Sequence, residues 1–183
     1  MRPTAFLDRD GTLNREVGFV RSAAALEVLP GTRAALQRLQ SAGYRLVVVT
    51  NQSGIARGLY DERDLAAIHA RLQHELGGLV DAFLHCPHHP DGGYGYGHDC
   101  DCRKPGAGLL WQARELLGCE WLGSAIIGDS ARDILMARDV PMHKVLVHSG
   151  KPVASELALL RDANVMPDHQ AADLAAAVDW LLR

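Results

Sequence analysis

No uninterrupted apolar run in this 183-residue chain approaches the ~20 residues that a membrane-spanning helix needs. A basic surplus is missing too: the formal charge is −3, which gives no general electrostatic reason to expect nucleic acid or an anionic membrane as partner. The chain enters an expected strand by Thr4, which leaves no room for a signal peptide, so the expected setting is soluble and cytoplasmic. There is no internal repeat, linker or low-complexity segment. No heptad or large apolar surface helix demands a partner, and a monomer is expected. What the chain does have is length for one domain, taken as residues 1–183, and 48% hydrophobic residues to fill a sizeable core. Its four cysteines are few, yet three crowd into one loop with histidines. In a reducing compartment that clustering suggests metal before disulfide.

Short apolar runs and helix-spaced segments alternate along the chain. Ala5-Phe6-Leu7 runs into Asp8-Arg9-Asp10 and is broken by Gly11-Thr12, the pattern of a buried strand ending in a loop. Residues 14–30 read as a loop or flap, with Pro30-Gly31 opening a helix over 32–42 that Gly43 caps. Arg45 to Thr50 is too apolar for a half-exposed strand and ends at Asn51-Gln52-Ser53-Gly54. A helix over 61–76 follows, with Asp61 as its N-cap. Further elements are a strand at 82–85, a helix from about 105 to 117, a strand at 124–127 closed by Gly128-Asp129-Ser130, a helix over 131–138, a strand at 144–147 and a last helix near 170–182. This order predicts an α/β fold with a mainly parallel sheet and helices on both faces.

In such a sheet the ends of the strands carrying Asp8-x-Asp10, Thr50-Asn51 and Gly128-Asp129 lie along one edge, where open α/β sheets place their ligands. Segments more than a hundred residues apart can thus meet in one crevice. Asp8, Asp10 and Asp129 offer hard oxygen ligands suited to Mg²⁺. Thr50 supplies a hydroxyl and Lys104 a cation for phosphate oxygens, and backbone N–H groups around Gly11 and Thr12 offer an anion nest. Carboxylates, Mg²⁺ and a lysine are the parts that phosphoryl transfer requires, because its transition state is stabilised mainly by positioning and charge.

Here the sequence resembles the haloacid dehalogenase (HAD) phosphohydrolases. F-L-D-R-D-G-T-L, V-V-V-T-N, Arg103-Lys104-Pro105 and I-I-G-D-S-A-R-D correspond to that family's four motifs, in order and over most of the chain. The resemblance implies a HAD-like Rossmannoid three-layer sandwich without a large cap domain. It makes Asp8 the nucleophile and Asp10 the general acid and base, with Asp8, Asp129 and the Asp10 backbone carbonyl holding Mg²⁺. Thr50 and Lys104 would steady the transferring phosphoryl group. Asp133, one turn beyond Asp129, would orient Lys104 or a metal-bound water; a helix cap is the plainer alternative.

Cys86-Pro87-His88-His89 and Cys100-Asp101-Cys102 form a C-x-H…C-x-C arrangement with eleven residues between His88 and Cys100. Three thiolates and an imidazole make a closed structural zinc site, and clipping the Gly-rich loop 86–102 with Zn²⁺ would offset the entropy of ordering it. His85, His88, His89 and His98 all lie near enough to be the fourth ligand. Cys119 stands apart as a packing residue.

The longer strings V-T-N-Q-S-G-I-A-R-G, C-P-H-H-P, C-D-C-R-K-P and V-L-V-x-S-G-K resemble the D-glycero-D-manno-heptose 1,7-bisphosphate 7-phosphatase family. That resemblance favours His88 as the zinc ligand and implies a small sugar bisphosphate as substrate, in the making of activated heptose for lipopolysaccharide. It places substrate contacts at Gly11, Thr12, Glu16, Gly18, Phe19, Asn51, Gln52, Ser53, Arg103 and Ser130. Ser130 is the one departure, since the family often carries a substrate-binding lysine there. Histidinol-phosphate phosphatase, whose HAD form has a similar loop, is the alternative; a nucleic-acid 3′-phosphatase fits the −3 charge poorly. A binding module with a dead phosphatase core would not need every catalytic position intact.

Overall fold

The computed structural model describes residues 2–183. Six strands form one sheet in the order β3-β2-β1-β4-β5-β6, all parallel. They are β1 (Pro3–Leu7), β2 (Arg45–Asn51), β3 (Ala82–Cys86), β4 (Glu120–Gly128), β5 (His143–Val147) and β6 (His169–Ala171). The helices are α1 (Thr32–Ser41), α2 (Glu62–Glu75), α3 (Gly108–Leu117), α4 (Ala131–Met136), α5 (Val153–Asp162) and α6 (Leu174–Leu181).

The two-residue period of the strands sorts the core into two faces. Ala5, Leu7, Leu46, Val48 and Ile127 point one way and pack with Leu36 and Leu39 of α1, Leu72 of α2 and Val178 of α6. Phe6, Val47, Val49 and Ile126 point the other way onto Leu109, Leu110 and Ala113 of α3 and Met136 of α4. With helices on both sides, this is the three-layer HAD-like sandwich that the motifs imply, and both faces of the central strands are buried, as parallel strands require. Asp61 caps α2 by accepting from the Arg63 and Asp64 amides. Among the described residues no helix is long and apolar enough to cross a membrane.

Several element boundaries differ from the sequence expectation. Helix α3 begins at Gly108 rather than 105, because Gly106 and Gly108 pass directly over the Asp101 carbonyl, where any Cβ would collide. Strand β4 reaches back to Glu120, and α6 starts at Leu174, since 169–171 is strand rather than helix. Helix α5 forms in a stretch where the periodicity placed no element. Strand β6 has only three residues and one buried side chain, Ala171, so its pairing to β5 comes from tertiary context and not from an apolar run.

Candidate active site

Strands β2, β1 and β4 are neighbours, so Thr50, Asp8 and Asp129 emerge side by side at one sheet edge. Lys104 arrives from the loop before α3. Its ammonium lies 2.6 Å from Asp8 Oδ1, 2.5 Å from Asp133 Oδ1 and 3.0 Å from the Val49 carbonyl. Burial alone would lower the pKa of Lys104, but the Asp133 and Asp8 carboxylates outweigh it and hold the group charged. The lysine backbone is fixed as well: Asn51 accepts from the Lys104 amide at 3.0 Å and donates to its carbonyl at 3.1 Å.

Asp133 both contacts Lys104 and caps a helix. One carboxylate oxygen takes Lys104, and the other accepts from the Ser130 amide at 3.0 Å to close the capping box of α4. Asp129 is wedged between Gly11 and Gly150, where a side chain at either glycine would collide with its carboxylate, and it accepts from the Lys151 amide at 3.0 Å. Carboxylate oxygens of Asp8, Asp129 and Asp133 all lie within 4.8 Å of one another. Burial, the Asp133 charge and, more weakly, the Asp10 charge push Asp8 up against the pull of Lys104; burial and the charges of Asp8 and Asp133 push Asp129 up. Three buried carboxylates facing one lysine are short of positive charge, and a hard divalent cation fits that deficit.

The Asp10 carboxylate is not in this cluster, so the sequence expectation of Asp10 as a metal residue can be met only by its backbone carbonyl. Its side chain takes two hydrogen bonds from Arg9, at 2.8 and 3.0 Å, and others from Asn14 at 2.9 Å and Gln52 at 3.1 Å. Burial would raise its pKa, but the Arg9 charge and these donors hold the carboxyl below its ordinary range. Arg9 itself is only 1% exposed. Its other edge lies 3.5 Å from His69 Nε2, and His69 stacks on Phe83.

A cavity of about 180 Å³ opens over these groups. Glu16, Gly18, Phe19, Thr50, Asn51, Gln52, Ser53, Arg103 and Ser130 line it. Within that set Gln52 is engaged as scaffold, donating to Thr50 at 2.8 Å and accepting from Tyr60 at 2.7 Å. Gly11 and Thr12 require correction, because neither lines the cavity and their amides close the loop internally, onto the Asn14 and Arg9 carbonyls. What Gly11 provides instead is room for Asp129. Ser130 borders the cavity with its hydroxyl already engaged, donating to Glu156 at 3.3 Å and accepting from the Arg132 amide. The motifs did not single out Arg9, Tyr60, Arg132 and Lys151, which also line the cavity. Arg9 and Arg132 lie inside the quoted catalytic motifs and Lys151 ends one of the longer strings, but the motifs attach no role to any of the three.

Beyond β2, at the end of β3, Cys86, His88, Cys100 and Cys102 converge. The Sγ atoms of Cys86 and Cys100 are 3.5 Å apart, those of Cys100 and Cys102 3.1 Å, and His88 Nδ1 is 3.3 Å from Cys102 Sγ. All four cysteines are free thiols. A tetrahedral zinc with Zn–S bonds of ~2.3 Å needs thiolates roughly 3.8 Å apart, so the donor set fits with slight expansion. Burial raises the Cys86 and Cys102 thiols. His89 turns away to Arg57, 2.9 Å distant. The His88 carbonyl accepts from Arg103 at 3.1 Å, which ties the loop to the cavity wall.

With this geometry in place, known proteins can be compared. The HAD-hydrolase-like family model matches residues 101–177. The D-glycero-beta-D-manno-heptose-1,7-bisphosphate 7-phosphatase of Pseudomonas aeruginosa is 40% identical over 186 residues, covering 100% of this chain and 99% of that protein. Its Haemophilus ducreyi counterpart is 40% identical over 160 residues, 85% of this chain and 88% of that one. The chain belongs to the heptose-1,7-bisphosphate 7-phosphatase family. A solved heptose 1,7-bisphosphate phosphatase from B. bronchiseptica, complexed with magnesium and phosphate, superposes with a TM-score of 0.84 at 34% identity, over 98% of both chains. Membership makes this chain a HAD phosphatase, and the two chains share one fold.

Proposed function

We propose that the chain removes the C7 phosphate of D-glycero-D-manno-heptose 1,7-bisphosphate, using Asp8 as nucleophile, in the supply of activated heptose for lipopolysaccharide. The observation that carries this reading is the Asp8–Lys104–Asp133 chain at the sheet edge, in a protein 40% identical along its whole length to a named heptose bisphosphatase. Asp8, Asp129 and the Asp10 carbonyl would hold Mg²⁺, which when bound neutralises charge on the phosphate and on the carboxylates.

In the first half-reaction an Asp8 oxygen attacks phosphorus and the bond to the sugar C7 oxygen breaks, leaving an aspartyl-phosphate. Lys104 and Thr50 steady the phosphoryl oxygens. Asp10 gives its proton to the departing alkoxide, then as carboxylate takes one from the water that attacks the aspartyl-phosphate and releases inorganic phosphate. The clamp of Arg9, Asn14 and Gln52 suits the second role, because it favours the ionised form. The first role requires a proton on Asp10, and hence loosening of the Arg9 pair when substrate arrives.

Zn²⁺ at Cys86, His88, Cys100 and Cys102 is structural in this reading, since four protein ligands leave no open position. A monomer acting on a soluble sugar bisphosphate matches the cytoplasmic setting. Against histidinol phosphate stand Arg103, Arg132 and Lys151 in the cavity wall, which would repel its ammonium and favour a second phosphate. Phosphate release should be compared for both heptose bisphosphate anomers and histidinol phosphate with Mg²⁺ present. The β-anomer named for the curated relatives is expected to give the highest kcat/KM. Faster turnover of histidinol phosphate would overturn the assignment.

A further inference from the structure

Two guanidinium groups of the cavity wall, Arg103 and Arg132, have no anionic partner among the described residues. Arg103 is held by the His88 carbonyl. Arg132, exposed at the start of α4, makes no side-chain hydrogen bond or ion pair among the described residues, yet it lines the cavity. Like charges gathered without a counter-ion are unfavourable, and a bound dianion relieves them. Ser130, the neighbouring residue on this wall, cannot serve that anion with its hydroxyl turned to Glu156.

We propose that Arg132 is a specificity-determining residue, gripping with Arg103 the phosphate of the substrate that is not hydrolysed. This rests on the bisphosphatase reading. An arginine suits the task because its planar fork can take two phosphate oxygens at once, and because it stays charged at any working pH. The side chain has no structural duty to give up, so the contact is available to ligand alone.

The test is the ratio of kcat/KM for the heptose 1,7-bisphosphate to that for heptose 7-phosphate, in the wild type, Arg132→Gln and Arg132→Lys. Losing one charge-assisted contact should lower the ratio roughly tenfold to a hundredfold in Arg132→Gln, chiefly through KM for the bisphosphate. Arg132→Lys should keep a larger part of it, since the charge remains. A ratio that survives Arg132→Gln, or equal losses on both substrates, overturns the inference alone. A wild type with no preference for the bisphosphate overturns the functional reading and this inference together.

Discussion

Two groups of metal-competent side chains flank the end of β2, and they are built in opposite ways. The carboxylates Asp8, Asp129 and Asp133 come from segments more than a hundred residues apart and are at most 7% exposed. The ligands Cys86, His88, Cys100 and Cys102 come from one loop and are half-buried apart from Cys86. The first group is assembled by the sheet and balanced internally by Lys104. The second packs on the apolar core through Cys102 and has no internal cation among the described residues. The scaffold can therefore hold the acidic centre before any metal binds, whereas a metal at the loop would offset the entropy of ordering it.

Asp8→Asn gives the largest expected effect on one side of this contrast. Turnover should fall by at least about a thousandfold, because no other side chain replaces the attacking oxygen. The metal-free protein should be no less stable, since a buried carboxylate whose ionisation is disfavoured has been removed. Phosphate release and urea unfolding in EDTA report the two halves. Undiminished turnover would show that Asp8 is not the nucleophile.

Lys104→Met breaks the internal balance instead. It leaves Asp8 and Asp133 without their shared ammonium, which should cost about 3–5 kcal/mol in the metal-free protein. Added Mg²⁺ should recover part of that loss. An unchanged urea midpoint would mean that the lysine is not the counter-ion the geometry makes it.

Cys102→Ser tests the other side. The sheet should still unfold cooperatively, while Arg103 loses the His88 carbonyl that positions it. A drop of about tenfold in kcat/KM for the bisphosphate is expected, with a smaller change in Tm than Lys104→Met produces. Loss of the whole fold would erase the distinction between a self-sufficient core and a clipped loop.

The same contrast explains what was legible in the sequence. The strands β1, β2 and β4 announce themselves because burial on both faces demands continuous apolar runs, and the metal-competent loop because its ligands are local. Networks among distant polar side chains leave no such trace. Nothing in the spacing of Arg9 says that its guanidinium will be buried on Asp10 and His69, or that Glu156 of α5 will accept from Ala131 at 2.7 Å and brace the turn after Asp129. The amides of Gly11 and Thr12 looked available because a Gly-Thr turn often exposes N–H groups, but Asn14 and Arg9 carbonyls take them.

His69 offers the finest test of how the acidic side is kept in order. Burial and the Arg9 charge hold its pKa down at about 3, against 6.5 for a free histidine. The unfolded chain therefore binds a proton that the folded protein refuses. The sign follows from linkage: this contribution is fully present above about pH 6.5 and is lost as pH falls toward 3. In His69→Phe the stacking on Phe83 can persist while the titration disappears, so the loss of stability between pH 7.5 and 4.5 should be shallower than in the wild type by about 1–3 kcal/mol. Urea midpoints at both pH values measure it. Equal slopes would mean that the Arg9–His69 contact opens on acidification, and that Asp10 is held by Arg9, Asn14 and Gln52 without support from behind.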